Sequence, residues 1–263
     1  MIFSKDSSNL QNQSKTIFYI LINHQNSMTQ QLYYRDAYLK QCEATVKEVQ
    51  ENKLIVLDKT CFYPQGGGQP SDIGILTCDG ETYLVDRVSK KDNKIVHEVQ
   101  KLGLKPGDKI KAAINWEKRY KLMRMHTSAH VISAVMHSQA SALITGNQLD
   151  ENLSRIDFSL DNFNREQIEK YIEQANQYIK KNLPVKSYFI SKKEAESMET
   201  LSKLAKGLPQ DIKEIRIVEI QGLDKQADGG CHVKSLKEIG KILLDRLENK
   251  GSKNRRLYFK LED

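Results

Sequence analysis

The stretch Trp116-Glu117-Lys118-Arg119-Tyr120-Lys121-Leu122-Met123-Arg124-Met125-His126-Thr127-Ser128-Ala129-His130 is where the chain changes period. Leu122, Met125, Ala129, Ile132 and Met136 recur every three or four residues, the core stripe of an α-helix of about five turns. Before it the chain reads as short strands, so a β-rich part up to Asn115 gives way to a mixed part. His126 and His130 sit beside the stripe. Four residues apart, they share one helix face, and two imidazoles there can converge on one ion from a rigid element. Ser133 and His137 continue that row, where His137 reads as a surface or packing residue.

Six histidines among 263 residues produce about 0.14 such pairs by chance, so the pair gains its meaning from a second motif. That motif is Asp228-Gly229-Gly230-Cys231-His232. His232 is a candidate third ligand, and Asp228 or Cys231 would complete a tetrahedron. If His232 reaches the ion from a strand, its neighbour points to the opposite face, which favours Asp228 over Cys231. A zinc peptidase is excluded, because no glutamate follows His126 to act as general base and neither Thr127 nor Ser128 can replace it. A purely structural zinc is disfavoured because such sites use several cysteines, and only Cys231 is available.

Working outward towards the N-terminus, Ala44–Val49 and Leu54–Leu57 flank Glu51-Asn52, and Ile73–Thr77 and Tyr83–Val88 join across Asp79-Gly80. Lys94–Val99 and Lys109–Ile114 continue the series, which predicts a small barrel or curled sheet. Within it, Phe62-Tyr63-Pro64-Gln65-Gly66-Gly67-Gly68-Gln69-Pro70 carries three consecutive glycines. Without Cβ atoms the backbone can approach a ligand or a neighbouring segment closely and adopt positive φ. This is no P-loop, since Gly-Lys-Ser/Thr and a following helix are both missing. It reads as a tight loop over a domain interface, a substrate contact, or both.

Towards the C-terminus, Asn164 can cap a second helix with Gln167 three residues on, and Ile168, Tyr171, Ile172, Ala175, Tyr178 and Ile179 form its buried face. Val185–Ile190, a short polar helix near Lys192–Leu204, and strands at Glu214–Ile220, Lys241–Leu247 and Arg256–Leu261 follow. This half reads as an α+β sandwich. Residues 1–27, rich in Ser, Asn and Gln, read as a disordered extension.

A net charge of +7 favours a polyanionic partner without establishing one. Cys42, Cys61, Cys78 and Cys231 form no C-x-x-C pair, which suits reduced thiols in a cytoplasm. The apolar run Ile17–Ile22 is too short for a signal core or a membrane span, so no membrane association is expected.

Phe62-Tyr63-Pro64-x-Gly66-Gly67-Gly68-Gln69-Pro70-x-Asp72-x-Gly74, His126-x-x-x-His130, Arg155-Ile156-Asp157-Phe158 and Asp228-Gly229-Gly230-Cys231-His232-Val233, in this order, resemble the AlaX family. These are stand-alone alanyl-tRNA editing proteins, related to the editing domain of alanyl-tRNA synthetase. The resemblance runs from about Met28 to Asp263. It implies an α+β protein: a small N-terminal glycine-motif β-barrel over 28–115, then an α+β sandwich editing domain with a zinc site over 116–263, as in the medium-length members.

The implied activity is zinc-dependent hydrolysis of the ester joining serine, and glycine, to tRNA for alanine. A synthetic pocket for alanine cannot exclude smaller glycine and rejects serine only weakly, so a second, hydrolytic site must supply the discrimination. The resemblance points to His126, His130, His232 and Asp228 as metal ligands and to Asp228, Thr127 and Cys231 as catalytic candidates. It points to Gly66, Gly67, Gly68, Gln69, Thr60 and Arg155 as substrate-binding candidates. Mischarged tRNA would be the partner, reached through phosphate contacts for which Lys250, Lys253, Arg255 and Arg256 are candidates, by a monomer or homodimer. The chain departs from the family pattern, commonly Cys-Gly-Gly-Thr-His, in having Asp228 at the cysteine position and Cys231 at the threonine position. Ala129 stands where synthetase editing domains tend to carry threonine, with Thr127 or Thr60 as substitutes. A non-catalytic tRNA-binding or synthetase-partner module is the alternative reading of these departures.

Overall fold

The structure, a computed structural model, describes residues 29–162, 164–198 and 212–262. The extension expected over 1–27 lies outside the described residues. A two-residue strand β1 (Gln30–Gln31) precedes β2 (Gln41–Gln50), β3 (Leu54–Leu57) and β4 (Lys59–Thr60). After the glycine motif come β5 (Gly74–Cys78), β6 (Glu81–Lys91), β7 (Lys94–Val99) and β8 (Lys109–Ile114). Six of these close a barrel in the order β2-β3-β7-β6-β5-β8, with β2 pairing β3 on one side and β8 on the other.

Turn chemistry sets the barrel's hairpins. Glu51 and Asn52, Asp79 and Gly80, and Asp92 and Asn93 all take positive φ, the twist that short connections between antiparallel strands favour. Alternate residues such as Ile55, Leu57, Val85, Ile95, Val99 and Ile110 fill the interior. The fully buried His97 joins them.

Helix α1 (Trp116–Ala140) starts where Asn115 accepts from the Lys118 amide at 3.0 Å and ends at Ser141 in the left-handed region. Next come β9 (Ile144–Gln148), β10 (Ser154–Phe158) and α2 (Arg165–Lys180). As expected, Asn164 caps α2, accepting from the Gln167 amide at 3.2 Å. Ile168, Ile172, Ala175 and Ile179 are buried, whereas Tyr171 and Tyr178 are only partly so. The remaining elements are β11 (Val185–Ser191), α3 (Lys192–Ser197), β12 (Glu214–Ile220), β13 (Asp224–Ala227), β14 (Lys241–Asn249) and β15 (Arg255–Glu262). The end of the polar helix expected near Leu204 lies outside the described residues.

Two antiparallel sheets, β14-β15-β10-β9 and β11-β12-β13, make up the second half together with α1 and α2. Sequence periodicity did not separate β9, β10 and β13 from loop, because each is short and mostly polar or half-buried. The fold class is therefore α+β, with a barrel towards the N-terminus and a layered helix and sheet part after it. Among the described residues no helix is long and apolar enough to cross a membrane.

The two halves share buried contacts. Tyr33, Tyr34 and Tyr63 belong to the same core as Met123, Val131 and Phe259. Arg119 of α1, wholly buried, pairs with Asp72 at the end of the glycine motif and donates to the Cys61 and Ala37 carbonyls at 2.8 and 2.9 Å. Asp72 also accepts from the Tyr63 amide at 2.6 Å. An ion pair this deep persists because its remaining hydrogen-bonding capacity is satisfied.

Candidate metal centre

Helix α1 presents His126 and His130 one turn apart, and the segment after β13 brings Asp228 and His232 against them. One ligand atom from each of the four lies within 4.8 Å of every other. Asp228 Oδ2 is 3.5 Å from His126 Nε2 and 3.8 Å from His130 Nε2, and Oδ1 is 3.1 Å from His232 Nε2. Ligand atoms about 2.0–2.1 Å from a tetrahedral ion stand roughly 3.3 Å apart, so this spacing suits one.

The neighbours of each imidazole decide which nitrogen is available. Gln69 Oε1 accepts from the Cys231 amide at 3.2 Å, so it is an oxygen there, and His126 Nδ1 must donate to it at 2.9 Å. His130 Nδ1 donates to the Asp224 carboxylate at 2.7 Å. Thr127 gives its proton to the Met123 carbonyl at 2.9 Å, so its oxygen accepts from His232 Nδ1 at 3.2 Å. All three rings therefore carry the proton on Nδ1 and turn a bare Nε2 inward, the tautomer that metal-ligating histidines take. Three lone pairs and a carboxylate facing one another in a buried spot repel unless a cation sits among them. The residues present fit a divalent metal with nitrogen and oxygen ligands.

The electrostatics of the cluster favour a positive charge at its centre, whether a proton or a cation. Burial raises the cost of ionising Asp228, but His126 and the imidazole hydrogen bonds hold its carboxyl well below the usual range. Burial likewise opposes charge on His130, yet Asp224 and Asp228 outweigh it and push its pKa up to about 10. His232 is held well below the usual histidine range by burial and by its two neighbouring imidazoles.

Backbone packing sets the position of the second motif. Arg216 of β12 donates to the Asp228 carbonyl at 2.7 Å, and Asp228 N donates back to the Arg216 carbonyl at 3.2 Å. Gly230 N donates to Asp228 Oδ1 at 2.5 Å. A Cβ on Gly230 would lie 2.2 Å from His126 Cε1, so only glycine allows the imidazole its place.

The glycine loop forms the wall beside the centre. Gly66 and Gln69 exchange backbone hydrogen bonds at 3.1 and 2.9 Å around Gly67 and Gly68, both at positive φ. The Gly68 carbonyl accepts from the Leu149 amide at 2.8 Å, and a Cβ there would stand 1.5 Å from Asn147 Oδ1. An open cleft of about 470 Å³ runs between this loop and the end of β9, lined also by Arg87, Lys90 and Gln148.

The other candidates from the sequence lie as follows. Thr127 has its proton and both oxygen lone pairs spent on Met123, His232 and the Val233 amide at 3.2 Å. Cys231 is buried in the core, outside the cluster, and burial pushes its thiol up to about 11. Thr60 lies inside the barrel, bonded to His97 at 2.8 Å and to the Phe62 amide at 3.0 Å. Arg155 reaches the cleft only indirectly, through Gln148 at 3.3 Å, and its other bond goes to Asp157 at 3.0 Å. Lys250 and Lys253 lie in and beside the exposed turn between β14 and β15; Arg255 and Arg256 are tied to Asn249 and Asp157. Sequence reasoning missed Asp224 and Arg216. The four-residue spacing of Asp224, Asp228 and His232 was the one local signal for Asp224.

Among the described residues, a closed barrel packed with an α+β part that carries a three-histidine, one-aspartate cluster defines an α+β protein with a candidate metal site. Comparison with known proteins narrows the class. The profile for class II (A) tRNA synthetases matches residues 3–118, and the second additional domain of threonyl and alanyl tRNA synthetases matches residues 215–258. Over 243 residues the chain is 48% identical to the alanyl-tRNA editing protein AlaX-M of Methanosarcina barkeri, covering 90% of this chain and all of that protein. The AlaX-M of Saccharolobus solfataricus is 40% identical over 88% of this chain and 98% of its own length. Alanine–tRNA ligase of Pyrobaculum neutrophilum is 34% identical over 84% of this chain but only 25% of the ligase. The chain belongs to the AlaX family of alanyl-tRNA editing proteins.

Proposed function

We propose that this chain is a zinc-dependent deacylase that works in trans in the cytoplasm, releasing serine and glycine from tRNA for alanine. The observation that carries the reading is the convergence of three Nδ1-protonated imidazoles and Asp228, linked through Gln69 to an open glycine-lined cleft. His126, His130, His232 and Asp228 would hold the zinc. When bound, the ion supplies Lewis-acid polarisation of a carbonyl or a water.

The chain's own residues do the rest. Gln69, Asp224 and Thr127 keep the imidazoles oriented. Gly230 N holds Asp228 Oδ1, which leaves Oδ2 facing His126 and His130. Gly66, Gly67 and Gly68 present backbone alone, so the ester-bearing end of a nucleic acid can come close to the centre. Gln69 links that wall to His126.

Zinc content measured on the purified protein, with hydrolysis of seryl-, glycyl- and alanyl-tRNA for alanine, tests the proposal. One zinc per chain is expected, with loss of the serine and glycine esters, sparing of the alanine ester, and inhibition by a chelator reversed by zinc. Absence of hydrolysis of every mischarged species at full zinc occupancy overturns it, and retention of tRNA under those conditions would identify a binding module instead.

A further inference from the structure

The cleft beside the glycine loop has a polarity that the metal chemistry does not use. Its lining offers Arg87, Lys90, Ser89 and the amides of Gln65, Gln69 and Gln148, and no carboxylate. Lys90 makes no ion pair among the described residues; its ammonium lies 6.0 Å from the Tyr34 ring centroid. Burial, with no anion to offset it, lowers its pKa to about 8. A partly buried cation without a counter-ion in an acid-free cleft is suited to an anionic ligand. Arg87 is exposed and reaches the loop through Gln65 Oε1 at 2.9 Å, which aligns its guanidinium along the same wall.

A second observation stands independently of charge. Gln69 is 1% exposed and its Nε2 has no hydrogen-bond partner, the one buried side-chain polar atom in that state among the described residues. Its other amide atom is committed to His126 and Cys231, so the orphan donor cannot turn away to satisfy itself. Gln69 thus lines the cleft, touches a candidate metal ligand and carries a donor in need of an acceptor.

We propose that the cleft seats the terminal nucleotide of the ester-bearing tRNA strand, its phosphate on Lys90 and Arg87, and its sugar or ester oxygen on Gln69 Nε2. The inference rests on the deacylase reading, because the anion nearest to a 3′-aminoacyl ester is the 5′-phosphate of the same nucleotide. Lys90 and Arg87 are then binding residues, and their contribution falls on substrate affinity.

The test uses zinc-loaded full-length protein with Lys90→Gln, Lys90→Arg and Arg87→Gln variants. Deacylation of seryl-tRNA is followed across a salt series, and adenosine 5′-monophosphate, adenosine and inorganic phosphate are titrated by calorimetry. Lys90→Gln should raise KM roughly tenfold with kcat little changed, as loss of a charge-assisted contact does. The log–log salt slope of kcat/KM should shrink by about one. Lys90→Arg should restore most of both, and the monophosphate should bind more tightly than adenosine or phosphate, an advantage lost in Lys90→Gln. Wild-type KM and salt slope in Lys90→Gln overturn the inference while leaving the deacylase reading intact. If the wild type hydrolyses no ester, the deacylase reading fails, and equal binding of the three probes then overturns the cleft assignment as well.

Discussion

Gln69 Oε1 accepts from His126 Nδ1 at 2.9 Å, so a side chain of the barrel's glycine loop sets the tautomer of an imidazole on α1. The same oxygen takes the Cys231 amide at 3.2 Å. One residue of the first half therefore holds both motifs of the candidate metal centre, and the centre exists only when the two halves are packed together.

Replacing Gln69 with leucine should loosen the centre without unfolding the chain. Metal affinity is expected to fall roughly 10–100-fold, the range for losing a partner that orients a histidine ligand. Competition titration with a zinc chromophore reads this directly. Unchanged affinity would mean that His126 needs no orienting partner.

Gly230→Ala should remove metal binding more completely, because the added methyl would stand 2.2 Å from His126 Cε1. His126 would have to leave its position. Since Gly230 lies at the centre and not in a sheet, the urea midpoint of the metal-free protein is expected to change little while zinc retention is lost.

The barrel should weaken in acid through His97. Its ring donates Nδ1–H to the Ile55 carbonyl at 3.1 Å and accepts from Thr60 at Nε2, so the neutral form is built in. Burial lowers its pKa to about 4, against which the Ile55 bond acts only weakly. Unfolding frees it to take a proton below about 6.5. The unfolded state thus binds more protons between these values, and stability falls as pH drops through that window, by about 3 kcal/mol in all. Urea unfolding between pH 7.5 and 4 should show a steeper loss for the wild type than for His97→Gln. Parallel curves would refute the assignment.

Arg119→Met should be the most destabilising of these changes. It strips Asp72 of its partner in a fully buried site, a loss of about 3–5 kcal/mol. Adding Asp72→Asn should recover part of that, since the amide removes the orphaned charge and can still accept from the Tyr63 amide. Equilibrium denaturation of the single and double variants checks the order.

Local periodicity and spacing made much of the molecule legible. The register of α1, its two histidines, the Asn164 cap and the turns at Glu51-Asn52 and Asp79-Gly80 all depend on residues within a few positions of one another, and backbone geometry reads such patterns directly. The motif around Asp228 and His232 was visible for the same reason, and so was their i, i+4 spacing. The short strands β9, β10 and β13 were not, because their partners rather than their own residues make them strands.

The contacts within the centre were set by tertiary structure alone. Thr127 and Cys231 looked like reactive groups beside the histidines, yet one hydroxyl is saturated by its neighbours and the thiol is in the core. Gln69 meets His126 across 57 positions and Asp224 meets His130 across 94, and no spacing rule links residues so far apart. The residue types capable of binding a metal were written in the sequence. Which nitrogen faces inward, and which cleft opens beside it, followed from packing, because a hydrogen bond is specific only once both partners have been brought within about 3 Å.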